Sequence, residues 1–217
     1  MGNVSAENRR TQLIEAAIRV IQRDGIPAAT TRAIASEADA PLASIHYTFG
    51  SKEEVIRAAF DFLADEVTSS VESSTDYTAG LEAAIAGAFE RVADLLVDTR
   101  YAVVIADYTP YDDPWVKRHL DEFNAFAARL LERTAASSGE PTPAVGYSML
   151  GRLTTITIDG VVLHFQTHGD ATRMREEFGA MARALGALAR ERDQTPRGRS
   201  TNQHARTSPK PTRKRRA

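Results

Sequence analysis

Between Thr30 and Lys52 the sequence reads TTRAIASEADAPLASIHYTFGSK. Hydroxyls and a guanidinium (Thr30, Thr31, Arg32) open the stretch. A second cluster of small, hydroxyl and aromatic side chains follows (Leu42, Ala43, Ser44, His46, Tyr47, Thr48), with Lys52 just beyond it. The chemistry such a set can do is non-covalent. A short polar helix bearing an aromatic enters a DNA groove, and cations and helix N-termini hold it there through phosphates. Taken singly, each of these residues is as readily a solvated surface side chain. A helix-turn-helix with a purely structural role would also use the same spacing.

The elements that must position these groups are legible on either side. Ser5 is a candidate N-cap with Glu7 in the first turn, and Leu13, Ile14, Ala17, Ile18 and Ile21 form one apolar helix face. Asp24-Gly25-Ile26-Pro27 ends that helix. Thr30 or Thr31 caps a second helix with Ile34, Ala35 and Ala38 facing inward. Ala35 is the small residue at a close crossing, Asp39 stands at the turn, and Ile45 plugs the interface. The turn position favours Gly, but Asp tolerates a left-handed backbone. A third helix spans about 41–48, and Ser51 opens a long fourth one to about 73.

The remainder alternates helical patterns with polar breaks. Helices are expected at about 77–98, 100–108, 115–137, 142–167 and 170–192. One segment conflicts locally: Leu153 to Phe165 is β-branched and contains Asp159-Gly160, a hairpin signal. No second set of strands exists for a hairpin to join, so the segment is expected to be a helix buried between layers, with Gly160 a point of close backbone approach. The fold class is therefore all-α, with about nine helices. A DNA-binding domain over 1–50 precedes a ligand-binding and dimerisation domain over 51–193, and a disordered basic tail covers 194–217.

Charge follows the same division. Residues 1–60 carry seven basic and seven acidic side chains, residues 61–193 twelve and twenty-two, and residues 194–217 eight and none. An acidic body repelled by DNA between approaching ends is the implication. The tail, with Arg197, Arg199, Arg206, Lys210 and Arg213 to Arg216, is either a sequence-blind DNA arm or a solvated extension. The chain has no cysteine, which excludes disulfides. No apolar run approaches a membrane span, so a soluble cytoplasmic protein is expected.

The Thr30–Lys52 unit resembles the N-terminal domain of TetR-family transcriptional regulators. It supplies Thr30, Ile34-Ala35, Ala38, Ile45, His46-Tyr47-Thr48-Phe49 and Ser51-Lys52-Glu53-Glu54, over about 55 residues. It departs from the family pattern at Asp39 (usually Gly), Pro41 (usually Ser or Thr) and Ala43 (usually Gly). Chemistry and resemblance together suggest roles. Thr30, Thr31 and Arg32 meet phosphates at a helix N-terminus. Leu42 and Ala43 suit thymine methyls, and Ser44 a base edge or phosphate. His46 stands where the family has a phosphate-contacting Tyr, with Tyr47 and Thr48 beside it. Lys52 is a phosphate anchor and Phe49 a core plug.

The resemblance also implies a small-molecule pocket and a homodimer on a pseudo-palindromic operator. Phe62, Phe89, Val104, Tyr108, Trp115, His119, Phe123 and Phe126 are candidates to line a mostly apolar effector pocket; plain core is the alternative for each. Val161, Val162, Phe165, Phe178, Met181, Leu185 and Leu188 are the candidate dimer interface. His164 and His168 have metal-chelating spacing, but a polar helix end suits them better, and no metal or other cofactor is expected. No nucleophile-and-base set or phosphate-binding Gly loop occurs, so no catalytic residue is assigned and an enzyme is not expected. The expected activity is a repressor released by an effector.

Overall fold

In the computed structural model, which describes residues 6–97 and 113–191, the regular structure is helical and no strand occurs among those residues. The described residues form eight α-helices: α1 (Ala6–Asp24), α2 (Thr31–Glu37), α3 (Leu42–Thr48), α4 (Lys52–Ser74), α5 (Leu81–Val97), α6 (Pro114–Ser138), α7 (Gly146–His168) and α8 (Ala171–Arg190). A 3₁₀ turn, Ile26–Ala28, links α1 to α2. The all-α architecture holds. Ser5, the helix expected at 100–108 with Val104 and Tyr108, and the 194–217 tail lie outside the described residues.

The first three helices form around α1, which is buried more widely than one face. Leu13, Ile14, Ala17, Ile18 and Ile21 are joined in the core by Ala16 and Val20, because both α2 and α4 pack against α1. Gly25 adopts a left-handed φ of 80° and ends α1. Thr30 caps α2, its hydroxyl accepting from the Ala33 N–H at 3.1 Å. Ile34, Ala35, Ala38 and Ile45 are all buried. Asp39 is the only non-glycine with positive φ among the described residues, at 47°, which is the left-handed turn the spacing demanded. Pro41 serves as N-cap of α3 in an extended conformation rather than as its first helical residue. It cannot cap with a side chain, so α3 depends on Ile45 to hold it down.

In the body, α5 packs along α8, α6 along α7, and α7 on α8, while α4 leans on both α1 and α5. α5 starts at Leu81, four residues later than the periodicity predicts. Gly80 holds a φ of 91°, which no helix accepts, and the Leu81 N–H is capped by the Glu140 carboxylate at 2.9 Å. Asp113 caps α6 with Pro114 at its first position, and Gly139 closes it in the left-handed region.

Leu153 to Phe165 lies within the continuous helix α7, so the hairpin signal loses to packing. Its threonines stay helical by bonding back one turn: Thr154 to the Leu150 carbonyl at 2.9 Å and Thr157 to the Leu153 carbonyl at 2.8 Å. Gly160 is not the point of close approach, since nothing lies within 4 Å of where its Cβ would stand. That role falls to Gly151, where a Cβ would sit 2.7 Å from the Ala128 backbone nitrogen of α6. Among the described residues no helix is long and apolar enough to cross a membrane.

Candidate nucleic-acid interface and effector cavity

α3 presents a small surface fixed from beneath by a single buried residue, Ile45. Tyr47 is 92% exposed, Leu42 is 38% exposed, and Ala43 and His46 are exposed beside them. Ser44 and Thr48 are half-buried at the edges of this face. Thr30 and Arg32 are exposed at the start of α2 and Thr31 is half-buried there, where the positive end of the helix faces outward. The His46 Nδ1 lies 3.4 Å from the Gly50 carbonyl, which orients the ring. Lys52 sits at the first turn of α4, its ammonium donating to the Ile26 carbonyl at 3.4 Å and tying α4 to the 3₁₀ turn. Two of its three N–H donors remain for other partners.

Behind this face the unit is braced by polar contacts that the sequence did not announce. Arg19 and Arg23 of α1 each reach Glu37 of α2 at 2.9 Å, and their hydrogen bonds hold that carboxyl below the usual range. The Gln12 amide donates to the Ala38 carbonyl at 2.6 Å, just before the turn. Phe49 is half-buried against the core, with the Arg10 guanidinium 4.7 Å above its ring.

Residues 13–59 match the family model described as bacterial regulatory proteins, tetR family. That segment of the chain is a TetR-type N-terminal domain. The chain is 38% identical over 104 residues, 48% of its length, to the HTH-type nicotine-responsive transcriptional repressor HdnoR of Paenarthrobacter nicotinovorans. That stretch spans 50% of the relative, so the match reaches about half the length of either protein. The fold is similar to that of the fatty acid degradation regulator FadR of Bacillus halodurans, with a TM-score of 0.68 at 18% identity over 80% of this chain and 94% of that one. A TetR transcription regulator of Haloarcula marismortui has a TM-score of 0.69 at 16% identity, over 84% and 98% of the respective chains. At these identities the solved structures speak for the fold alone.

Of the TetR-type pocket residues expected in the body, four line up and two do not. Trp115, His119 and Phe123 form a ladder along α6. The indole and imidazole stack with centroids 4.9 Å apart, and Phe123 meets His119 edge-on at 4.9 Å. Phe123 and Phe126 line a small apolar cavity of about 50 Å³ between α4, α5, α6 and α7. They also line a larger groove of about 420 Å³ between α4 and α6, which His119 shares. Phe89 instead stacks on Phe178 at 4.9 Å, fully buried where α5 meets α8. Phe62 is half-buried against the core.

The pairing of Phe89 with Phe178 also corrects the interface expectation. Phe178, Val161, Val162 and Leu185 are buried inside one chain, so they offer no contact surface. Periodicity marks apolar residues but not which side of a helix they face. Phe165 and Leu188 are half-buried, and of the seven expected residues only Met181 is exposed. The exposed apolar stripe on α7 runs instead through Met149, Ile156 and Leu163.

Sequence reading missed Asp61 and Asp113, which join α6 to α4. The Asp113 carboxylate caps the Trp115 N–H at 2.8 Å and accepts from Arg57 at 2.8 Å. Asp61 accepts from the Trp115 indole at 3.2 Å. The Asp113-Pro114 start signal was available; the long-range partners were not. His164 lies 3.8 Å from Glu177, and among the described residues no three His, Asp or Glu side chains gather to hold a metal.

Proposed function

We propose that this chain is a homodimeric repressor that reads a pseudo-palindromic operator with α3 and leaves it when a small molecule binds the body. The reading is carried by Tyr47: an aromatic side chain 92% exposed on a seven-residue helix is unexplained by stability and suited to a partner. Residues 1–50 act as the reading head, and residues 51–193 sense and dimerise. Leu42, Ala43 and Ser44 enter the major groove. Thr30, Thr31 and Arg32 engage phosphates at the N-terminus of α2, and His46, Tyr47, Thr48 and Lys52 engage them around α3. One short helix reads few bases, so two heads on two half-sites multiply the discrimination.

Effector control is supported by the nicotine-responsive relative and by the cavity and groove flanked by α4 and α6. At about 50 Å³ the apolar cavity holds a water or two, so a ligand must enter by moving Phe123 and Phe126 or must seat in the groove. α4 then carries the change, because it packs on α1 of the head and on α5 of the body. The ligand acts only through its preference for the DNA-incompetent state. Selection of binding sites from random-sequence duplexes tests the reading. Enrichment of an inverted repeat is expected; recovery of unenriched DNA would refute it.

A further inference from the structure

The groove between α4 and α6 has a chemistry more specific than an apolar pocket. α4 places Asp61 and Asp65 one turn apart on the same face, and both line the groove together with Glu122 of α6. Like charges at this spacing oppose each other, and the cost is relieved when a cation sits between them. The guanidinium one turn earlier on α4 does not serve, since Arg57 binds Glu54 at 2.9 Å and Asp113 at 2.8 Å. Two further guanidiniums line the groove, and one of them, Arg118, leans on Glu122 at 3.7 Å. Three carboxylates therefore face two guanidiniums.

The Asp61 side chain is 50% exposed and accepts one bond, from Trp115. A carboxylate can accept about four, so most of its capacity is open. His119 lies 3.8 Å from it, but burial lowers the imidazole pKa and leaves the ring neutral near neutral pH. Next to this unneutralised charge, His119 and Phe123 present a ring ladder. An anion would meet a lining in which carboxylates outnumber guanidiniums three to two. A neutral apolar molecule would cover Asp61 and Asp65 without satisfying them. A volume of about 420 Å³ lies in the ordinary range for small ligands.

We propose that the α4–α6 groove binds a small organic cation bearing an aromatic ring, its charge set against Asp61 and Asp65 and its ring against His119 and Phe123. This rests on the effector reading above and names the ligand class. The chain contains one tryptophan, Trp115, bonded to Asp61, so its fluorescence reports directly on the site.

The test titrates the full chain with benzyltrimethylammonium near neutral pH and constant ionic strength, with benzyl alcohol and phenylacetate as neutral and anionic controls. Saturable quenching is expected, with the cation binding about tenfold or more tighter than either control. Asp61→Asn keeps an oxygen for the indole and removes the charge. It should weaken the cation about tenfold and leave benzyl alcohol unchanged, and Asp65→Asn should act in the same direction. No saturable quenching, equal binding of the three probes, or cation binding untouched by both variants would each overturn the assignment. Operator binding is measured on the same samples. Intact operator binding without cation selectivity sinks only this inference; lost operator binding with retained selectivity sinks the repressor reading instead.

Discussion

Tyr47 and Ile45 are two residues apart on α3 and show how far residue identity alone could be read. Both belong to the motif, but one is almost fully exposed and the other fully buried. Tyr47→Ala should therefore leave thermal stability within about 0.5 kcal/mol, while operator affinity falls about tenfold. Ile45→Ala should cost about 2–4 kcal/mol of stability, because it empties the anchor of a helix whose proline cap makes no side-chain bond. Anisotropy titrations and thermal melts on the two variants separate the effects; a large stability loss in Tyr47→Ala would remove the case for a reading surface. The head was legible because its positions are fixed by local spacing. In the body the rings of α6 were legible but their carboxylate was not, because Asp61 meets Trp115 and His119 across α4 and α6 at distances no periodicity encodes. His119 adds a pH signature. Burial holds its folded-state pKa below the ordinary 6.5, against the opposing charges of Asp61, Glu122 and Asp65 and with the help of Arg118. The unfolded chain then binds the proton first, so stability contributed by this group is present above 6.5 and is lost as pH falls through the lowered value. Melting temperatures should be flat above about pH 7 and decline below it, with a shallower decline in His119→Phe.

At the scale of elements, the glycines of α7 separate what pattern predicts from what packing decides. Asp159-Gly160 looks like a turn and Gly151 like nothing in particular, yet the helix runs through both and only Gly151 is crowded. The reason is geometric. α6 crosses α7 so closely that a Cβ on Gly151 would stand 2.7 Å from one backbone atom and 3.0 Å from another, neither of which can rotate away. Gly151→Ala should destabilise the fold by about 1–3 kcal/mol through overpacking. Gly160→Ala should raise the stability of the single chain by about 0.5–1 kcal/mol, because it removes backbone freedom from an open helix position. Denaturant melts of both variants at concentrations too low for association would check this, and a shift of the same sign in both would contradict the assigned crossing. Helix number and order were readable from periodicity and breakers, as α6 and α8 show. Which face each helix buries was not, since Phe89 and Phe178 carry the same apolar signal whether they meet each other, a ligand or a second chain.

At the scale of the whole molecule, the unpartnered apolar residues decide where a second copy can sit. Ile156 is 56% exposed and Leu163 61%, and together with the open Gly160 they fall at i, i+4 and i+7 along one stripe of α7. Met149 lies one heptad earlier on the same stripe, and Met181 is exposed on the adjoining α8. Isolated exposed apolar side chains are ordinary, but a row of them along one helix face is where the proposed second copy would dock. A stable dimer buries roughly 800 Å² per partner, which a pair of helices of this length can supply. A glycine at the centre lets two such helices approach without a side chain between them. Ile156→Glu with Leu163→Glu should therefore halve the mass measured by light scattering without lowering the helical content of the chain, because neither residue belongs to the buried core. Operator affinity should fall by about a hundredfold or more, since a single α3 is left to read one half-site. Val161→Glu, placed in the core of α7, should unfold the chain instead. If the double variant keeps the wild-type mass, the second copy sits elsewhere and the spacing of the two heads must be derived from another face.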